Sequence, residues 1–390
     1  MRLILYLMLI LSLPATGSAQ QLRVTVTNDL DLERKEVAAI PCSKLKKLLK
    51  KYRPEDIHVQ QKGDIGCLAT QWIDYDADGN PDELLFIATI GAHASNEYTV
   101  QNVTEQLAYP LTEGIAYSRF VPERSDDYAW ENDKVAFRVY GPKGQQEALA
   151  GVAGSTLSSG IDIWFKRVPY PVINKWYGAN VTASGYYHTD RGEGYDPYHV
   201  GKSRGTGGTG IWDNDTLVAS QNFVNYKTIA TGPLRTVFEL EYAPFSEANV
   251  REVKRVSLDL HSNFSKFEVA VSADIKLSNY AIGIALHDNK GLVAANNKNG
   301  ILRHWETIDG SFVGEGIVAD PQTVINSFEH HGSGAGQHNL VLLVKPSRKI
   351  IYYAGFAWQK SGQVSSVEDW DKMLERQAAI ITHPLKVKIH

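Results

Sequence analysis

The feature that most constrains this chain is an alternation of apolar and polar residues with a period of two, repeated in segment after segment. Phe238, Leu240 and Tyr242 alternate with Glu239 and Glu241, and Val256, Leu258 and Leu260 repeat the theme. Phe267, Val269, Val271 and Ala273 then alternate with Glu268, Ala270, Ser272 and Asp274. One face apolar and one polar is the pattern of a half-buried strand, and turns rich in Gly, Asn, Asp and Pro join the segments. Strands do not alternate with helices, which argues against a parallel α/β sheet. The expected fold is mostly β: a large antiparallel β-sandwich of the super-sandwich type with few helices. Residues 20–390 read as one large domain, within which residues 20–130 are a candidate smaller N-terminal subdomain. Helical spacing is confined to two places. In residues 43–52, Leu45, Leu48 and Leu49 share a face and five lysines cover the rest. From Ser366, a Ser366-x-x-Asp369 pattern resembles a capping box ahead of Trp370, Met373, Leu374 and Ala378.

The N-terminus carries a different signal. Arg2 precedes an almost unbroken run of Leu, Ile, Met and Tyr over residues 3–13, Pro14 breaks it, and Gly17-Ser18-Ala19 supplies small residues. That order marks residues 1–19 as a secretory signal cleaved near Ala19. The run is too short to span a bilayer core of about 30 Å, and no later segment approaches the roughly 20 apolar residues of a spanning helix. The expected mature protein starts near Gln20 and has no membrane association after cleavage. A formal charge of −4 gives no electrostatic footprint for nucleic acid or for an anionic membrane. The 8 Trp and 19 Tyr suit sugar-stacking platforms, though cores use the same residues. Export permits a disulfide between the two cysteines, Cys42 and Cys67, and leaves two thiols as the alternative.

Three regions carry local motifs. Asp74, Asp76, Asp78 and Asp82, with Gly79 among them, present the alternating carboxylates of a structural calcium loop. The EF-hand form fails because its twelfth position is Leu85, and an Asx-rich hairpin turn uses the same residues. Residues 205–210 satisfy the glycine spacing of a dinucleotide fingerprint, but a hairpin is expected after them in place of a helix. Gly201-Lys202-Ser203 lacks the earlier glycine of a phosphate-binding loop, where Asp196 stands. Nucleotide binding is therefore excluded.

The third region, residues 185–212, combines glycines with His188, Asp190, Glu193, Asp196, Tyr198, His199, Lys202, Arg204 and Trp212. Glycines let backbone bring such groups close to a ligand. An exported aromatic-rich β protein plausibly meets polysaccharide fragments, and two reactions fit. Glycosidic hydrolysis needs an acid and a second carboxylate, for which Glu193 and Asp196 are available but not marked as a pair. Elimination from a uronic acid needs a cation to offset the carboxylate, a base for the C5 proton and an acid for the departing oxygen. Arg204 or Lys202 suits the first role; His188, His199 or Tyr198 suits the others. Lys360, and His330 with His331, are candidates to reach the same site from other loops.

The run from His188 through Asp190, Gly192-Glu193-Gly194, Asp196, Tyr198, Val200-Gly201, Ser203-Arg204-Gly205 and Gly207-Gly208 to Trp212 resembles a family first defined as a domain of unknown function. Further likeness lies in residues 74–86, 163–177, 232–235 and 358–362, so it spans most of the mature chain. The family recurs in polysaccharide-utilisation gene clusters, and a member acts as an oligosaccharide dehydratase in ulvan breakdown. The resemblance implies an exported, periplasmic carbon–oxygen lyase acting on a uronate-containing oligosaccharide. Such an enzyme removes water from the non-reducing-end uronic acid and leaves a 4,5-unsaturated residue. The parts that such an elimination needs make His188, Tyr198, His199 and Arg204 the catalytic candidates, with Asp190, Glu193, Asp196, Lys202, Trp212 and Lys360 as candidates to bind substrate. The chemistry requires no cofactor. A non-catalytic carbohydrate-binding protein, a polysaccharide lyase and a glycoside hydrolase remain the alternatives.

Overall fold

A computed structural model describes residues 21–103, 114–334 and 336–390, so the leader over residues 1–19 lies outside the described residues. The alternating segments become neighbours in one eight-stranded antiparallel sheet. Its order is Phe223–Thr231, Arg235–Tyr242, Arg251–Asp259, Phe264–Ser272, Lys349–Trp358, Ser311–Ala319, Ile301–Ile308 and Leu292–Asn296. Two five-stranded sheets lie across it. One centres on Asp127–Glu131, Ala136–Val139 and Asp162–Lys166, the other on Thr206–Asp213, Tyr280–Ala285 and Asn339–Val344. A parallel bridge between Ile161 and Gly205 links the two. The core between these layers draws Trp130, Phe137, Phe165, Ile282 and Leu342 from one side and Phe238, Val256, Phe267, Ile317 and Phe356 from the other. This is the expected antiparallel β-sandwich.

Residues 205–210 run into the strand Thr206–Asp213, whose end pairs Ile211 with Val218 in a hairpin. No helix N-terminus is there to receive a phosphate.

An N-terminal unit has its own core. A four-stranded sheet holds Gln21–Thr27, Ser95–Asn102, Ile57–Gln61 and Lys386–Ile389. A three-stranded sheet of Arg34–Pro41, Glu83–Ile90 and Thr70–Ile73 packs on it through Val24, Ile40, Leu84, Phe86 and Tyr98. From Tyr117 onward the strands, Lys386–Ile389 apart, belong to the sandwich, so the described N-terminal part of this unit is shorter than residues 20–130. Leu85 and Ile73 pack with Leu234, Val237 and Leu260, fastening the three-stranded sheet to the sandwich. Cys42 and Cys67 are both buried free thiols, so no disulfide staples this unit.

The helices differ in part from the sequence pattern. The lysine-rich segment gives only a short turn, Cys42–Lys44, and one helical turn, Lys46–Leu49, with Leu45 and Leu48 buried. Two helices carry little sequence periodicity, Pro142–Leu149 and Ile173–Thr182; the second is held by Trp176 and Tyr177 against Trp164. The C-terminal helix Val367–Thr382 starts at Ser366, whose hydroxyl accepts the Asp369 amide hydrogen. The return arm departs from a full capping box, because Asp369 accepts from the Ser365 amide and hydroxyl instead. No described helix is long and apolar enough to cross a membrane.

This helix lies on the outer face of the eight-stranded sheet, where Trp370 stacks on Phe264 with ring centres 5.5 Å apart. Gly314 and Gly316 make the seat. A Cβ at Gly314 would lie 2.5 Å from the Trp370 ring, and one at Gly316 would lie 2.3 Å from Leu374. Trp370 Nε1 also donates to the Glu315 carbonyl at 3.1 Å. Trp370→Ala is expected to lower unfolding free energy by roughly 3–5 kcal/mol, because the rigid sheet cannot collapse into the space. Denaturant titration measures this, and a loss below about 1 kcal/mol would mean that the helix seat adjusts freely.

Candidate active site

The glycine-rich segment is anchored before it reaches the solvent. Asn180 Oδ1, near the end of the helix Ile173–Thr182, accepts from the amides of Gly185 and Tyr186 at 2.8 and 3.0 Å. Tyr187 is then buried against Trp164. Gly194 has φ +116°, and a Cβ there would fall 1.9 Å from the Phe165 carbonyl. Only glycine lets Gly194–Tyr195 pair with the edge of Asp162–Lys166. The Asp196 amide donates to the Tyr187 carbonyl at 2.7 Å, closing the loop.

Under the loop sits a buried charge cluster. Arg138 Nε donates to Asp162 Oδ2 at 2.8 Å, and its Nη2 donates to both Asp162 Oδ2 and Asp196 Oδ2, the latter at 3.0 Å. Burial, with the nearby Asp162 charge, pushes the Asp196 carboxyl well above the usual range, against the pull of Arg138. Burial likewise pushes Asp127 up to about 7. Asp196 therefore serves as a buried anchor for the loop, and its backbone carbonyl accepts from His188 Nδ1 at 2.8 Å.

A cleft of about 460 Å³ opens beside this anchor. One wall is His188, Asp196, Pro197 and His199; the other is His287, Asp288, Glu306 and Asp309. Because a carbonyl only accepts, the hydrogen bond to Asp196 makes His188 Nδ1 the donor and leaves Nε2 outside that bond. The His188 side chain is 47% exposed, enough to meet a ligand.

His287 is different. Its Nδ1 faces Glu306 Oε1 at 2.7 Å and its Nε2 faces the His199 carbonyl at 3.0 Å. Two acceptors ask for two N–H groups, which is imidazolium. Burial alone would depress His287, but the hydrogen bond and charge of Glu306, joined by the charge of Glu315, push it up to about 9. Its backbone is held at φ +34°, in the sparsely occupied region where strained functional residues are often found.

Behind the cleft lies a network that sequence reading missed. Glu315 Oε2 pairs with His304 Nδ1 at 2.8 Å, while its Oε1 accepts from Tyr198 at 2.5 Å and from Thr206 at 2.8 Å. The Tyr198 ring meets His287 edge-on at 4.7 Å. His304 and Glu315 are cross-strand partners, and His304 and Glu306 point inward on the strand that also buries Leu302. The available signal was charged side chains in slots where the alternation calls for apolar ones.

Placement separates the remaining candidates. Tyr198, expected to be an acid, is buried and meets the cleft only through His287. Arg204, expected to face a substrate carboxylate, is also buried: Nη1 donates to Ser159 Oγ at 2.8 Å and its amide donates to Asn339 Oδ1 at 2.8 Å. It braces the loop from inside and does not line the cleft. Asp190 pairs with Arg167 at the surface. Glu193 accepts from Lys175 at 2.7 Å, from Trp176 at 3.3 Å and from Tyr170. Burial opposes ionisation of Glu193, and these donors outweigh it, holding the carboxyl below its ordinary value. Lys202 and Lys360 are exposed and lie outside the cleft lining. Trp212 packs edge-on against Phe328 and His330, away from the cleft.

Among the described residues, two groups have metal-ligand chemistry. Asp74, Asp76 and Asp78 bring oxygens within 4.8 Å of one another. Those oxygens accept from the amides of Ala77, Gly79, Asp78 and Asn80, the pattern of an Asx-rich turn. Asp82 is turned to the Tyr75 amide, so the set that could hold a hard cation has three carboxylates and not four. The second group is His304, Glu306 and Glu315, whose atoms are engaged with one another and with His287 and Tyr198.

Fold and cleft together define a β-sandwich protein with a cleft lined by imidazoles and backed by buried carboxylates. Residues 26–387 match the family described as a domain of unknown function, DUF4861, and the chain belongs to that family. It is 41% identical over 372 residues to a protein of Formosa agariphila described as uncharacterized protein P7, covering 94% of this chain and 93% of the relative. Its fold is similar to that of two Enterococcus faecalis structures, a protein in glycosyl hydrolase family 38 and an α-mannosidase. The TM-scores are 0.51 and 0.50 at 10% and 9% identity, with 95% of this chain covered in both cases. The chain spans 47% and 46% of those two chains, and the likeness is one of fold.

The His287 assignment is checked by titration. By NMR its imidazole should titrate near pH 9. Glu306→Gln should return it towards about 6.5. The stability gained from the raised value is complete below about pH 6.5 and is lost as pH rises through about 9. If wild type and E306Q lost the same stability across that interval, His287 would not be imidazolium in the native state.

Proposed function

We propose that this protein is a carbon–oxygen lyase that dehydrates the non-reducing-end uronic acid of an oligosaccharide, giving a 4,5-unsaturated residue. The observation that carries this reading is one cleft that brings together His188, oriented through Nδ1, an exposed His199 and a His287 ring held between two acceptors. In the reaction His188 Nε2 takes the C5 proton as the C5–H bond breaks. Those electrons form the C4–C5 double bond while the C4–oxygen bond breaks. The His199 side chain gives the departing hydroxyl its proton, so it leaves as water. His287 carries the positive charge that stabilises the developing enolate-like carboxylate, the role first sought in Arg204. Tyr198 and Glu315 position that charge and do not touch substrate.

The reading joins family membership to the family's recurrence in polysaccharide-utilisation clusters, ulvan being one such substrate, and it carries with it export to the periplasm. Hydrolysis of a glycosidic bond is the second reading. It is favoured by Asp288, Glu306 and Asp309 on one wall of the same cleft, and by the glycosidase descriptions of the proteins that share the fold.

Incubation with a panel of uronic-acid oligosaccharides, read by mass spectrometry and ultraviolet absorbance, separates these readings. Dehydration removes one water per chain, leaves chain length unchanged and raises absorbance. His188→Ala should lower kcat by about 10²–10⁴-fold while keeping the unfolding midpoint. Shortened products would establish hydrolysis or chain cleavage instead, and binding with no new species would establish a carbohydrate-binding protein.

A further inference from the structure

A second and larger cavity, about 810 Å³, lies away from the cleft where the N-terminal unit, the eight-stranded sheet and the C-terminal helix meet. Its charges are unbalanced. Arg34 is fully buried and neutralised by Glu36, with Nε and Nη2 donating at 2.6 and 2.7 Å. Arg235 is neutralised by Asp259 at 2.5 and 2.8 Å. These pairs use both carboxylates of the lining. Lys35, Lys134 and Arg376 also line the cavity, and none has a carboxylate ion-pair partner among the described residues. Asp133, beside Lys134, is committed to His261, whose Nδ1 lies 2.9 Å from its Oδ2.

The three cations come from separate parts of the fold. Lys35 is on the strand Arg34–Pro41, Lys134 on the turn between Asp127–Glu131 and Ala136–Val139, and Arg376 on the helix Val367–Thr382. Arg376 is fixed by donation to the Glu33 carbonyl at 2.8 Å, and the Lys134 backbone by donation from Gln363 to its carbonyl at 3.1 Å. Lys35 and Arg376 line the same cavity as Lys134 and both act on its charge. Burial holds the Lys134 ammonium below the usual lysine range, Asp133 opposes that, and the charges of Arg376 and Lys35 add to it. Gathering like charges at the mouth of a cavity opposes folding unless an anion is there to share.

We propose that this cavity is a binding site for an oxyanion, the carboxylate or sulfate group of a ligand, held between Lys35, Lys134 and Arg376. A volume in the range of small-ligand sites leaves room for more than the anion itself. Tyr353 and Ile381 on the walls offer apolar surface to the remainder of the ligand. The site uses no residue of the cleft and stands whether or not the cleft performs elimination.

Calorimetry and thermal unfolding of the full chain with inorganic sulfate, a sulfated uronate disaccharide and its unsulfated counterpart test this. Wild type should bind at least one of them, and Lys134→Gln should weaken that binding by tenfold or more. Without ligand, K134Q should unfold no earlier than wild type, because a repelling charge is gone. K35Q should weaken binding in the same direction, and H188A should leave it unchanged. A response to inorganic sulfate alone identifies a free ion, and a response only to a saccharide identifies the anion as part of a sugar. No binding by wild type, equal binding by K134Q and K35Q, or loss of binding in H188A would each overturn the proposal.

Discussion

The buried guanidinium of Arg138 is the interaction on which the candidate site depends. It bonds two carboxylates, Asp162 on a sandwich strand and Asp196 on the glycine-rich loop, and sits among the rings of Tyr140, Trp164 and Tyr187. A cation removed from water is costly, and a buried pair repays that cost only when its geometry is good. What the arrangement secures is position. The loop cannot drift from the sheet without exposing an unpaired charge to an apolar interior, so the Asp196 carbonyl stays fixed and with it the orientation of His188.

A second buried network plays the corresponding part on the opposite wall. Glu315 takes hydrogen bonds from Tyr198, Thr206 and His304, which belong to the loop and to both layers of the sandwich. The cleft is thus framed by two polar knots, one orienting His188 and one backing the charged His287. Tyr198 and Arg204 belong to this framing and not to the exposed surface.

How far the sequence reached depends on which forces write themselves locally. Strand alternation over residues 238–242, 256–260 and 267–273 is a local signature of one wet face and one dry face, and it marks three successive strands of the large sheet. Ser366 announced a helix start by its own chemistry. The helix Ile173–Thr182 announced little, because Trp176 and Tyr177 are stabilised by Trp164 from a distant strand. The site divides the same way. His188, Asp196 and His199 stood out in a glycine-rich loop and do meet at the cleft. Arg204 and Tyr198 share that loop but turn inward, and spacing alone carries no sign of direction. His287 and Glu306 arrive from another part of the chain, joined to the motif only by folding.

The strand Lys386–Ile389 lies beside Gln21–Thr27, pairing Val24 with Ile389 and Thr27 with Lys386. Partners more than 350 positions apart complete the N-terminal sheet, so this small unit has among the longest-range contacts in the molecule. A chain emerging from its N-terminal side would hold one edge of that sheet unpaired until the other end arrives. Such an edge is a template for the wrong partner, and distant pairing is slow to form. The sequence order of the two strands therefore completes this sheet only after the whole polypeptide is present.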